Sequence, residues 1–268
     1  MAMTNMHKGK VALVTGGAQG MGFAAAKRFL DGGFEAVMLL DRNGARLRAS
    51  AAALRGQGRV ETLEGDLMDL TLPGRAMAAV KDAFGRLDVL VNAAGNTERC
   101  GIDDTTPASF DRLFGVNVKA PLFMMQEAIR LMRPQGHGTI INISSMLAHG
   151  GPPNLVTYSA SKAALVTMTR ATANAVKREG IRIFAVNLGW VHSEGEQALQ
   201  TGFHGLPENW HEEIGRRMPS GRLIVPDDVA GLLAYLVTPS AQMMTGAVID
   251  YEQMPTGVFD SHPALAPE

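Results

Sequence analysis

The 268-residue chain carries 25 Lys and Arg against 26 Asp and Glu, a formal net charge of −1, and a single Cys. Without a basic excess to neutralise a phosphate backbone, the composition argues against a nucleic-acid binder. One thiol can form neither an internal disulfide nor a Cys-rich metal site. Residues 1–10 lack the apolar centre of a signal peptide, and no apolar run approaches the roughly 20 residues of a membrane-spanning helix. The expectation is a cytoplasmic protein that handles small molecules, with no nucleic-acid or membrane partner.

The first β-rich apolar run, 11–15, leads into Thr15-Gly-Gly-Ala-Gln-Gly-Met-Gly22 and a helical stretch at 23–30. Gly16, Gly17, Gly20 and Gly22 allow a tight turn and close backbone approach to a pyrophosphate. Gln19 and Met21 sit within that turn, where a helix N-terminus offers free N–H groups and a positive dipole end. The turn alone is weak evidence; its place between the first strand and first helix strengthens it. The second run, 36–41, ends on Asp41, where a carboxylate can hold ribose hydroxyls and repel a 2′-phosphate. Arg42 is the contrary signal. A helical stretch at 45–55 follows, then a third run at 60–63 and Gly65-Asp66-Leu67. There Asp66 is placed either to accept from an adenine amino group or to cap a helix.

After a helical stretch at 72–84, the fourth run, 87–92, closes with Asn92-Ala93-Ala94-Gly95, small enough for a cofactor to lie against the backbone. One long helix is expected over 107–133. Asn117 lies in its apolar interior, where an amide side chain needs a partner. The fifth run, 139–144, is followed by Ser145. In the next helix, 158–179, Tyr158 and Lys162 stand at i and i+4, about 6 Å apart along the axis. A free Tyr has a pKa of about 10; lowering it by about 3 units takes roughly 4 kcal/mol of differential stabilisation from nearby positive charge. A sixth run at 181–186, a helical stretch at 226–236 and a seventh run at 247–250 complete the alternation. Residues 190–222 break it with Gly, Pro, His, Glu and Trp, as a lid over a ligand site does.

Several runs are apolar throughout rather than alternating, as strands buried on both faces are. The pattern predicts an α/β chain: a Rossmann-like, doubly wound, seven-stranded parallel sheet with helices on both faces. One domain spans 1–268, with a dinucleotide-binding core over about 8–190, a lid over about 190–222 and a tail over about 251–268.

Thr15…Gly20…Gly22, Asn92-Ala-Ala-Gly95, Asn117, Ser145 and Tyr158…Lys162 resemble, in order and spacing, the short-chain dehydrogenase/reductase family. The resemblance implies NAD as cofactor and Tyr158 as the base that takes a substrate hydroxyl proton. It gives Lys162 the nicotinamide ribose, Ser145 the reacting oxygen and Asn117 a water in a proton relay. It also implies a homotetramer. Two stretches depart from the family pattern. Leu188 and Phe184 stand where Pro and Asn are usual, although Gly189, Val191 and Ser193 still suit the carboxamide. Glu252-Gln253-Met254 replaces an Asp-Gly-Gly, which suggests a tail that closes an active site, its own or that of a neighbouring subunit.

Position relative to Ser145 and Tyr158 nominates Asn96, Glu98, Leu147, His149, Asn154, Trp190, His192 and Glu196 for the substrate. This hydrogen-bonding set beside a Trp suits a sugar or polyol, and the 189–196 and 249–253 stretches resemble bacterial sugar-type members. The alternatives are an NADP-dependent ketoreductase acting on a ketone or ketoacyl group, and a non-catalytic dinucleotide-binding redox sensor. The scattered His residues give no metal site, and Cys100 reads as an inert thiol.

Overall fold

The computed structural model describes residues 7–256. Seven strands form one sheet: β1 (Val11–Thr15), β2 (Ala36–Asp41), β3 (Arg59–Glu64), β4 (Val89–Asn92), β5 (Gly138–Ser145), β6 (Ile181–Leu188) and β7 (Val248–Tyr251). Their spatial order is β3-β2-β1-β4-β5-β6-β7, and every neighbouring pair is parallel. The helices are α1 (Gly20–Asp31), α2 (Gly44–Ala53), α3 (Leu72–Phe84), α4 (Pro107–Phe114), α5 (Ala120–Met132), α6 (Val156–Val176), α7 (Glu194–Gly202), α8 (Trp210–Arg216) and α9 (Pro226–Leu236).

The apolar runs explain the two-sided architecture. Alternate residues of one strand enter different cores: Ala12 and Val14 pack with Phe29, Leu47 and Leu233, while Val11 and Leu13 pack with Val80, Met124 and Val176. A strand covered on both sides has no polar face, which is why its sequence does not alternate. Leu188 extends β6 by pairing with Tyr251, a register that the usual Pro would interrupt, since it has no N–H to give. Phe184 is wholly buried.

Two expectations change. The single helix over 107–133 is interrupted by a π-helical turn at Gly115–Lys119 that joins α4 to α5. Such turns cluster at functional sites, and this one carries Asn117. The lid is not an irregular excursion, because it contains α7 and α8. Ser193 caps α7 by accepting from Glu196 N at 3.2 Å, with Glu194 and Glu196 in the first turn where the helix dipole favours them. Trp210, 2 % exposed, anchors α8 and donates to Gln197 Oε1 at 2.9 Å.

The strand order reverses direction between β1 and β4. A crevice opens at their carboxyl ends, the place where ligands bind open parallel sheets.

Candidate active site

A cleft of about 940 Å³ occupies that crevice. It is lined by the glycine turn, Asp41, Ala93 to Thr97, Ser145, Tyr158, Lys162, Gly189 to Val191, and residues of α7. Every position nominated for the dinucleotide lines it except Gly17 and Asn92. Asn92 instead turns inward: its Nδ2 donates to Asn142 Oδ1 at 2.8 Å, and Asn142 donates on to Thr169 Oγ1 at 2.9 Å. It ties β4, β5 and α6 together and does not face the cleft.

The residues at the turn fit a dinucleotide. Gly16 has φ +66°, and a Cβ there would lie 2.9 Å from Ala94 N; one on Gly22 would lie 2.3 Å from Gly16 O. No side chain caps the start of α1, so its first N–H groups remain available to an anion. Gln19 Oε1 is buried with no partner among the described residues. Asp41 Oδ2 accepts from Ala18 N at 3.3 Å and Oδ1 from Asn43 N at 3.0 Å, which fixes the carboxylate at the end of β2. Arg42 lines the same end of the cleft.

Helix α6 presents Tyr158 and Lys162 on one face. Lys162 Nζ donates to Ile143 O at 2.9 Å and lies 5.7 Å from the Tyr158 ring centroid. Burial lowers the Lys162 pKa to about 8. Burial raises the Tyr158 pKa to about 12, against the opposing pull of its hydrogen bond with Ser145. The expected lowering of the phenol is therefore absent from the protein taken by itself. Desolvation of the phenolate is the largest effect and the nearby Glu196 carboxylate adds to it, outweighing the Ser145 hydrogen bond and the Arg99 charge.

Asn117 is 1 % exposed and does not line the cleft. Its Oδ1 accepts from Asn96 N at 2.8 Å, and its Nδ2 donates to Asn96 O at 2.8 Å and Ser161 Oγ at 3.0 Å. The side chain thus clamps the loop after β4 to α6, with both Nδ2 hydrogens engaged there.

Of the substrate candidates, Asn96, Ser145, Leu147, Asn154, Trp190 and Glu196 line the cleft, and Glu98, His149 and His192 do not. Glu98 is bound by Arg112. His149 Nε2 lies 3.1 Å from both Asp250 carboxylate oxygens. His192 stacks on His211 at 3.9 Å and contacts Gln197 Oε1 at 3.1 Å, in a separate hollow it shares with Arg216 and Leu223. Residues that sequence reading missed include Arg99, Gln200 and His204; Glu252, noted there only as part of a closing tail, also lines the cleft. Arg99 Nε donates to His204 Nε2 at 2.9 Å across 105 positions of sequence, a pairing no local pattern announces. Glu252 packs its carboxylate on Gly189, where a Cβ would meet it at 2.1 Å.

A family profile described as short chain dehydrogenase matches residues 10–202. The chain belongs to the short-chain dehydrogenases. It is 34 % identical over 235 residues to galactitol 2-dehydrogenase of Agrobacterium fabrum, across 85 % of this chain and 90 % of that one. Among solved structures it is similar to an NAD+-bound xylitol dehydrogenase, with TM-score 0.84, 26 % identity, and 92 % and 99 % of the two chains covered. It is also similar to a point variant of actinorhodin polyketide ketoreductase with NADPH, with TM-score 0.86, 27 % identity, and 92 % and 98 % covered. As a short-chain dehydrogenase the chain is an oxidoreductase acting on alcohols. Among the described residues no helix is long and apolar enough to cross a membrane.

Proposed function

We propose that this short-chain dehydrogenase oxidises a secondary alcohol of a sugar, polyol or similar hydroxylated small molecule with NAD, using Tyr158 as general base. The observation that carries the proposal is the convergence of Tyr158, Ser145 and Lys162 in one cleft whose far end holds Asp41. Asp41, the uncapped start of α1 and the small residues Ala93 and Gly95 would hold the dinucleotide. Lys162 would reach its nicotinamide ribose, and Gly189, Val191 and Ser193 its carboxamide. Bound oxidised nicotinamide supplies the hydride acceptor and a positive charge near the phenol.

Ser145 orients the substrate hydroxyl by hydrogen bonding to its oxygen. Tyr158 takes the hydroxyl proton as the carbinol C–H hydrogen leaves with its bonding electrons, so a C=O forms while one proton and one hydride depart. Positive charge is required at that moment, because the buried phenol alone sits near pKa 12 and is too weakly ionised to act as base at neutral pH. Asn117 acts through position: it holds Asn96 and Ser161 and therefore the mouth of the site.

The hydrogen-bonding wall formed by Asn154, Glu196 and Gln200 supports a polyhydroxylated substrate, as do the galactitol and xylitol relatives. Arg42 beside Asp41 favours a second reading, NADP-dependent ketoreduction, in keeping with the NADPH-bound neighbour. A cytoplasmic homotetramer is the assembly that the family resemblance suggests. A screen of sugars, polyols and aromatic alcohols with NAD and NADP, following reduced nicotinamide, tests the proposal. Turnover of a polyol with NAD is expected; a strong NADP preference overturns the cofactor assignment, and silence toward every hydroxylated substrate overturns the reaction.

A further inference from the structure

Arg99 lines the same cleft as Tyr158 and Ser145, yet the functions assigned above leave it unused. Its guanidinium forms no ion pair among the described residues. The neighbouring carboxylate, Glu98, is bound by Arg112 through two hydrogen bonds of 3.1 and 2.6 Å. Arg99 Nε donates to His204 Nε2 at 2.9 Å, and Nη1 donates to Thr97 O at 3.3 Å. The Nη2 edge and the second Nη1 hydrogen have no partner among the described residues. Together they form the end-on fork that binds carboxylate and phosphate oxygens in pairs.

The fork stands on a fixed loop. Asn117 holds Asn96 by both backbone groups, and Asn96 Oδ1 accepts from Glu98 N at 2.9 Å. On the other side of Arg99, Cys100 pairs with Leu155, the residue that opens α6 just before Tyr158. The guanidinium is therefore built into the frame of the catalytic helix, and its charge acts on the Tyr158 phenol. The lid supplies the complementary group. Glu196 Oε1 accepts from Trp190 Nε1 at 2.9 Å and Gln200 Nε2 at 2.7 Å, leaving Oε2 to accept from hydroxyl groups.

We infer that Arg99, oriented by His204, anchors an acidic group of the substrate. The alcohol oxidised here is then a polyhydroxylated acid, bearing a carboxylate or a phosphate, rather than a neutral polyol. This rests on the reading that a substrate alcohol reacts at Tyr158.

The test compares glucitol, gluconate and glucitol 6-phosphate with NAD, in wild type, Arg99→Gln and Arg99→Lys. Wild type should favour one of the anions, and whichever wins identifies the acidic group. In Arg99→Gln the anion-to-glucitol ratio of kcat/KM should fall on the order of 10- to 100-fold, mostly through KM, as for a lost hydrogen-bonded charge contact. Arg99→Lys should restore part of that ratio. Calorimetric titration of the same three compounds into wild type and Arg99→Gln reads binding without turnover. Anion binding lost in Arg99→Gln supports the anchor even if none of the three is oxidised, in which case only the reaction assignment fails. An unchanged ratio in Arg99→Gln, or wild type that binds no anion better than glucitol, overturns it.

Discussion

Lys162→Met should make the protein more stable at neutral pH while removing its activity. Lys162 is 5 % exposed, and burial lowers its pKa from 10.5 to about 8. At about 1.4 kcal/mol per unit, holding the ammonium in this site costs about 3 kcal/mol. The bond from Nζ to Ile143 O, 2.9 Å long, returns about 1–2 kcal/mol. Met fills similar volume without charge, so a net gain of about 1–2 kcal/mol, a few degrees in Tm, is expected at pH 7. The pH dependence carries the stronger test. Between about 8 and 10.5 the unfolded chain binds more protons at this lysine than the folded one, so wild-type stability rises with pH through that window. The advantage of the variant is therefore full below pH 8 and disappears as pH climbs toward 10.5. Lys10 and Arg182 are also lowered by burial, but both remain in the variant and cancel in the difference. Urea unfolding of both proteins from pH 7 to 10 measures it. A stability difference that stays constant across that range, or a variant weaker at every pH, refutes the reasoning.

Three further outcomes are expected. Asp41→Ala should lower the NAD-to-NADP ratio of kcat/KM on the order of 10- to 100-fold, because it removes a hydroxyl acceptor and the charge that repels a 2′-phosphate; steady-state kinetics with both cofactors measures this. In the cofactor-free enzyme, the ultraviolet titration of wild type minus that of Tyr158→Phe should have its midpoint above 10, since burial holds the phenol protonated toward pH 12; a midpoint at or below 10 contradicts the burial argument. Gln253→Ala should expose the loop after α8 to proteolysis with a global stability loss of only about 1 kcal/mol, because Gln253 accepts from Ser220 N at 3.0 Å and donates to Arg222 O at 2.9 Å on an exposed surface; limited digestion and mass spectrometry locate the cut.

Much of the fold was legible because burial on two faces leaves a direct mark on sequence. The runs at 11–15 and 36–41 and the helical stretches at 72–84 and 226–236 have the observed bounds. The third strand read shorter than Arg59–Glu64 because its edge position lets polar ends persist. The π-helical turn at Gly115–Lys119 was illegible, since one extra residue leaves the apolar spacing of a helix nearly intact. The lid helices are only nine and seven residues long and interrupted by glycine, so their apolar periodicity never accumulates.

The site divides along the same line. Tyr158, Lys162 and the glycine turn are close in sequence and could be found by spacing. Arg99 with His204, and Glu252 on Gly189, depend on contacts between distant segments. His149 and His192 were nominated by position alone, and each is diverted by a nearer partner, Asp250 and the His211–Gln197 pair respectively. Residues 257–268, where most of the expected closing tail falls, lie outside the described part of the chain. Within it, Glu252 lines the cleft and Gln253 ties the end of β7 to the lid.

The central claim is that Tyr158 removes a hydroxyl proton as hydride passes from the substrate carbon to NAD. A polyol or sugar acid deuterated at the reacting carbon, oxidised with NAD by wild type and Tyr158→Phe in parallel, tests it most directly. Wild type should yield reduced nicotinamide carrying the deuterium. Tyr158→Phe should bind NAD nearly as well and yield almost none. Reduced nicotinamide without the label, or undiminished transfer by the variant, would contradict the account.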